Sequence, residues 1–161
     1  FTVEVTSSVL RTAGFGVRKV ATFVEDTLGT LTALALAKVL KAAGFVADDV
    51  ADVLKVVKGL TGKAAAVAMK GAGFAVDKVA GALKRVFELG IGAAADALGG
   101  AGFTVRQIVK QLLDVWDATV LEVGQALFDI GAPLLDVVNA LVEFTTLTFL
   151  EISAIIGSLW T

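Results

Sequence analysis

Three carboxylates crowd into one short stretch, Asp48, Asp49 and Asp52, and they are the closest the chain comes to an acid–base pair or a hard-cation site. Their spacing is that of a helix N-terminus, where acids meet the positive end of the backbone dipole. A calcium loop needs oxygen ligands at alternating positions around a glycine turn, a pattern this stretch lacks. Five glycines, Gly90, Gly92, Gly99, Gly100 and Gly102, invite a phosphate-loop reading, but no Gly-Lys-Ser or Gly-Lys-Thr accompanies them and no strand–helix unit frames them. Close helix packing accounts for them better, together with Ala93, Ala94 and Ala95. Histidine, cysteine and tyrosine are absent, which removes the commonest general base, the commonest metal ligands, both thiolate chemistries and the phenol. The expectation is a non-enzymatic chain with no catalytic residue, cofactor or metal site.

What positions these residues is a repeat. Ala13-Gly14-Phe15 returns as Ala43-Gly44-Phe45, Ala72-Gly73-Phe74 and Ala101-Gly102-Phe103, then in altered form as Ile130-Gly131-Ala132, in steps of 30, 29, 29 and 29 residues. Four residues before each glycine stands Leu10, Leu40, Met69, Leu98 or Leu127, and large apolar residues follow at offsets of three, six, ten and thirteen, as in Val105, Ile108, Leu112 and Val115. Gaps of three and four trace one stripe of a helix, whereas a half-buried strand alternates. Each unit is therefore a pair of helices. Its glycine ends the first helix in the left-handed conformation, and Thr61, Thr104 and Pro133 mark helix starts.

About five such pairs plus an apolar C-terminal helix from about Thr148 to Leu159 fill residues 1–161 as a single all-α domain. Helices this short do not persist alone, so neighbours stack into an α-solenoid or a compact helical bundle.

The copies Leu40-Lys41-Ala42-Ala43-Gly44-Phe45 and Val79-Ala80-Gly81-Ala82-Leu83-Lys84 resemble the degenerate tandem helical-pair repeats of large bacterial secreted and surface proteins. The resemblance covers residues 10 to about 115. It implies a helical scaffold without catalytic residues and an extracellular or cell-surface setting.

Composition says where such a scaffold has surface to spare. The apolar share is 57%, high for a soluble domain, yet the longest uncharged stretches have about ten residues against the ~20 a membrane-crossing helix needs. The chain opens on Phe1 without a methionine or a basic leader, which reads as a processed product or a piece of a longer protein. All 14 basic residues lie at or before Lys110, and the seven acids after it leave the C-terminal part without a single positive charge. Glu122, Asp129, Asp136 and Glu143 recur every seven residues, while Phe144, Phe149, Ile152, Ile156 and Trp160 make the last part apolar. The basic residues lack an exposed aromatic platform, so nucleic acid is not an expected partner.

These features predict a structural, self-assembling subunit of a filament or surface array. In it the C-terminal acidic and aromatic residues meet Lys55, Lys58, Lys63, Lys70, Lys78, Lys84 and Arg85 of the next copy, head to tail. Two alternatives are a solenoid groove that takes an apolar peptide or lipid, with Ala33, Ala35, Ala37, Ala64, Ala65, Ala66 and Ala68 along it, and a membrane-active domain.

Overall fold

The computed structural model describes residues 2–161; Phe1, on which the sequence opens, lies outside the described residues. Eleven α-helices follow one another: α1 (Val3–Thr12), α2 (Val17–Leu28), α3 (Ala33–Ala42), α4 (Ala47–Val56), α5 (Gly62–Gly71), α6 (Val76–Arg85), α7 (Ile91–Gly100), α8 (Val105–Trp116), α9 (Val120–Asp129), α10 (Leu134–Phe144) and α11 (Phe149–Ile156). A 3-10 turn, Gly157–Trp160, ends the chain. Each odd-numbered helix packs on the next odd one and each even-numbered helix on the next even one, so the pairs stack as two layers. The expected all-α stack of helical pairs is what the chain forms.

Two left-handed turns per repeat fold the layers together. The first is the repeat glycine: Gly14, Gly44, Gly73, Gly102 and Gly131 have φ between 77° and 92°, a region that costs an L side chain about 1–2 kcal/mol. The second lies fifteen residues later, between one pair and the next. It is taken by Gly29 (φ 82°), Gly59 (66°), Glu88 (56°) and Asp117 (53°). Odd-numbered helices start on threonine at nearly the same period. Thr2, Thr32, Thr61, Thr119 and Thr148 each accept the amide three residues on, and only α7, with Gly90 at its cap, departs from this.

The core lies between the layers and keeps the same addresses in every copy. Val20, Val50, Val79, Ile108 and Val137, six residues after the glycines, are all buried, as are Val24, Leu54, Leu83, Leu112 and Leu141 at ten. Small residues let the odd layer close up: a Cβ on Gly62 would come within 2.8 Å of Leu89 Cδ1, and one on Gly124 within 2.6 Å of Ile156 Cγ2. Ala37, Ala65, Ala66 and Ala68, candidates for a groove lining, are buried in these helix contacts. None of the single helices among the described residues is long and apolar enough to cross a membrane.

Candidate interaction surface

The repeat glycine carries a cation from its neighbour. The residue three before one glycine reaches the next copy, where it lies over the aromatic that follows the next glycine. Arg11 stands 5.7 Å from the ring centre of Phe45, Lys41 5.4 Å from Phe74 and Lys70 5.0 Å from Phe103. Lys41 Nζ also donates to the Gly73 carbonyl (3.0 Å) and Lys70 Nζ to that of Gly102 (2.8 Å), satisfying a carbonyl the helix end leaves open. At the next step both partners vanish together: Gly99 replaces the cation and Ala132 the aromatic. Ile130 fills the space beside Gly99, its Cδ1 3.2 Å from where a Cβ would be.

The even-numbered layer has its own clamps. Lys55 Nζ donates to the Val86 carbonyl (2.7 Å) over the Phe87 ring, and Lys84 Nζ donates to the Val115 carbonyl. Lys58, mostly buried, joins Glu25 (2.8 Å) and the Leu31 carbonyl (2.7 Å). At the equivalent repeat position Trp116 Nε1 donates to the Leu89 carbonyl (2.7 Å). Forked arginine–carboxylate pairs close the outer surface: Arg18 on Asp52 (2.6 and 2.7 Å), Arg85 on Asp48 (2.6 and 3.0 Å) and Arg106 on Glu143. The last two use identical repeat positions with the charges exchanged. Between the third and fourth copies both of these positions are acidic, and Asp77 and Asp114 each turn to a lysine of their own helix, Lys78 and Lys110.

Many residues expected to face another subunit are therefore engaged within this one. The acid cluster divides: Asp48 and Asp52 hold arginines of different neighbouring repeats. Lys63 pairs with Asp96 at 2.9 Å. Ile152 and Ile156 are fully buried against the preceding helices, so their side chains belong to the core and offer nothing to a partner. Phe144 is half-buried beneath Arg106 and Lys110. Trp160 folds back, its Nε1 donating to the Ala132 carbonyl (3.1 Å) and its ring meeting Phe128 edge-on at 5.2 Å. The acidic series divides between two consecutive helices in different layers, Glu122 and Asp129 on α9 and Asp136 and Glu143 on α10.

The carboxylates report these engagements in their acidity. The Arg18 hydrogen bond holds Asp52 below its ordinary pKa, and the Arg106 hydrogen bond does the same for Glu143. Glu122 and Glu151 are lowered by the backbone amides of Thr119 and Thr148, which they accept in closing capping boxes.

No protein-family model matches the chain, and neither does any curated protein or solved structure.

Apolar side chains are exposed along the stack, among them Val46, Val56 and Val67 in inner repeats, and also at its two ends. At the N-terminal end, Val9, Phe15 and Phe23 are 60%, 47% and 39% exposed. Their counterparts in inner repeats are less exposed: Ala68 and Ala97 for Val9, Phe45 and Phe103 for Phe15, and Val53 and Ala82 for Phe23 are buried, while Val39 and Phe74 at the first two of these positions are half-buried. At the other end Leu135, Phe149 and Leu150 are exposed, Leu150 at 78%. Sequence reasoning placed apolar residues in the last part of the chain and missed that many of the basic residues stitch one repeat to the next. The signal was present as the joint loss of Lys and Phe at Gly99 and Ala132.

Proposed function

We propose that the chain is a non-enzymatic structural subunit, a helical-repeat scaffold that associates end to end with copies of itself in a filament or array outside the cell. The observation that carries this reading is the apolar surface of the first repeat, where Val9, Phe15 and Phe23 are exposed at positions that later repeats bury or half-bury. The other end offers an apolar partner in Leu135, Phe149 and Leu150. A contact between unlike ends does not close on itself unless its rotation happens to, so it builds fibres or rings. Apolar burial drives it at about 25 cal/mol per Å² before the cost of association. Polarity comes from the ends' charges, Lys19 standing near Phe15 and Glu151 beside Leu150. Groove binding of an apolar peptide or lipid has less support, since the alanines proposed to line the groove are largely spent on helix packing.

Sedimentation velocity across a wide concentration range tests the reading. A weight-average mass that climbs with concentration, and falls back when Phe149 and Leu150 are both replaced by serine, is expected. A strictly monomeric protein at the highest concentrations would sink it.

A further inference from the structure

The two layers handle charge differently. Six of the seven ion pairs among the described residues join even-numbered helices or the turns that follow them, so cations and acids of that layer largely cancel one another. The odd-numbered layer has one, Lys63 with Asp96. Its inner helices α3 and α5 carry Lys38, Lys41, Lys63 and Lys70 and no acid, whereas α7 and α9 carry Asp96, Glu122 and Asp129 and no base. Carbonyls hold Lys41 and Lys70, and the Thr119 cap holds Glu122, so these bonds satisfy the groups without cancelling their charge. All seven lie on the stripe that each odd helix turns to solvent, at ten, nine, six, three and two residues before its repeat glycine. The rest of that stripe is short or apolar: Leu34, Val67 and Leu121 are 39%, 51% and 50% exposed, among small residues such as Ala64, Gly71 and Gly92.

Asp129 marks where this face is incomplete. It is the last residue of α9, where the helix dipole disfavours an acid, and its one hydrogen-bond partner among the described residues is Gln125 Nε2 (2.7 Å). In the preceding copies the residue ten before the glycine crosses the next helix at this address. Leu34 lies over Gly71 and Lys63 over Gly100, where an added Cβ would come within 2.8 and 2.6 Å of them. Gly92 sends nothing across to Asp129. What remains is an open groove of about 330 Å³ lined by Ile91, Gly92, Glu122, Gln125, Ala126 and Asp129, in which both charged groups are acidic.

We infer that the exposed face of the odd-numbered layer is a two-fold contact between copies of this chain, with α3 of one copy on α9 of the other and α5 on α7. The contact goes beyond the end-to-end reading and uses none of its residues. An axis parallel to the helices and passing between α5 and α7 produces it, and each lysine-to-acid meeting then occurs twice. Lys38 faces the groove at a height between Glu122 and Asp129, three residues from the one address and four from the other, roughly 4.5–6 Å of helix rise. The occupant is a second copy because the two halves of the face are each other's complement, and the opposite alignment sets lysine on lysine.

Sedimentation equilibrium of the wild type and of two charge reversals, Lys38→Glu and Asp129→Lys, tests the contact. Both positions are exposed and lie on inner helices, so helix content by circular dichroism is expected to be unchanged. The wild type is expected to dimerise at low salt and to weaken as salt is added. Either substitution alone sets like charges together twice and weakens the dimer roughly tenfold or more. Mixed in equal amounts, the two variants recover it as a heterodimer, because every substituted position then faces its opposite charge. Gly92→Lys supplies a check from within one chain: a Cβ there meets nothing within 4 Å, and the new side chain crosses towards Asp129 as Lys63 crosses Gly100. It is expected to raise the denaturation midpoint while weakening the dimer. A wild type that stays monomeric at low salt, or a mixture no tighter than its components, would overturn the inference. Polymers that grow unchanged through both reversals would overturn it too, and would leave the end-to-end contact standing.

Discussion

Lys70 spans two repeats with one ammonium group, closing the Gly102 carbonyl and covering the Phe103 ring. Replacing it with methionine keeps the length of the stem and removes both interactions; a loss of about 1 kcal/mol in denaturant unfolding is expected, with unchanged helix content. The same residue scale holds the pH dependence. Asp52, Glu143, Glu122 and Glu151 have folded pKa values below their unfolded ones, so their stabilisation is complete above the ordinary carboxylate range near 4 and fades as pH falls through the depressed values. Unfolding free energy should be flat from about pH 8 to 5 and decline below 4, and Asp52→Asn should make that decline shallower. Chemical denaturation at stepped pH checks both.

At the scale of elements, the first left-handed turn was legible because only glycine is used there; the second was half hidden, since Glu88 and Asp117 stand where Gly29 and Gly59 are conformationally at ease. Glu88→Gly should relieve that strain and raise stability by about 0.5–1 kcal/mol, net of the added freedom of the unfolded chain. The caps were legible at Thr61 and Thr104 from residue type alone, whereas the recurrence of Thr32, Thr61, Thr119 and Thr148 emerges only when the chain is wrapped at its period. Thr119→Ala should cost about 1 kcal/mol. Gly124 is a packing requirement with no sequence signal beyond its small size: alanine there thrusts a Cβ to 2.6 Å from Ile156 Cγ2. Gly124→Ala should destabilise by about 1–3 kcal/mol and loosen α11, read as a change in Trp160 fluorescence with α1 to α6 still protected from exchange.

For the whole molecule, the misreading of the basic residues is instructive. Summed along the chain, charge looks like a dipole from end to end; followed across the repeat, much of it resolves into local pairs such as Arg18–Asp52, Arg85–Asp48 and Arg106–Glu143. A one-dimensional count has no access to contacts made about thirty residues apart, although the period itself supplies that separation. Stacked units meet only their neighbours, so stability is graded along the stack. Exchange should be fastest in the end helices α1, α2 and α11, which have a same-layer neighbour on one side only, and slowest in α5 to α8.

The exchanged polarity of the arginine pairs also makes the order of the units non-interchangeable. Excising the second unit would bring Arg18 to the position facing Arg85; excising the third would set Asp48 against Asp114; excising the fourth would set Asp77 against Glu143. Tandem coding sequences gain and lose whole units by slippage during copying, and here each single internal loss places like charges together at the new seam. The array thus carries, in its surface ions, a penalty against its own shortening.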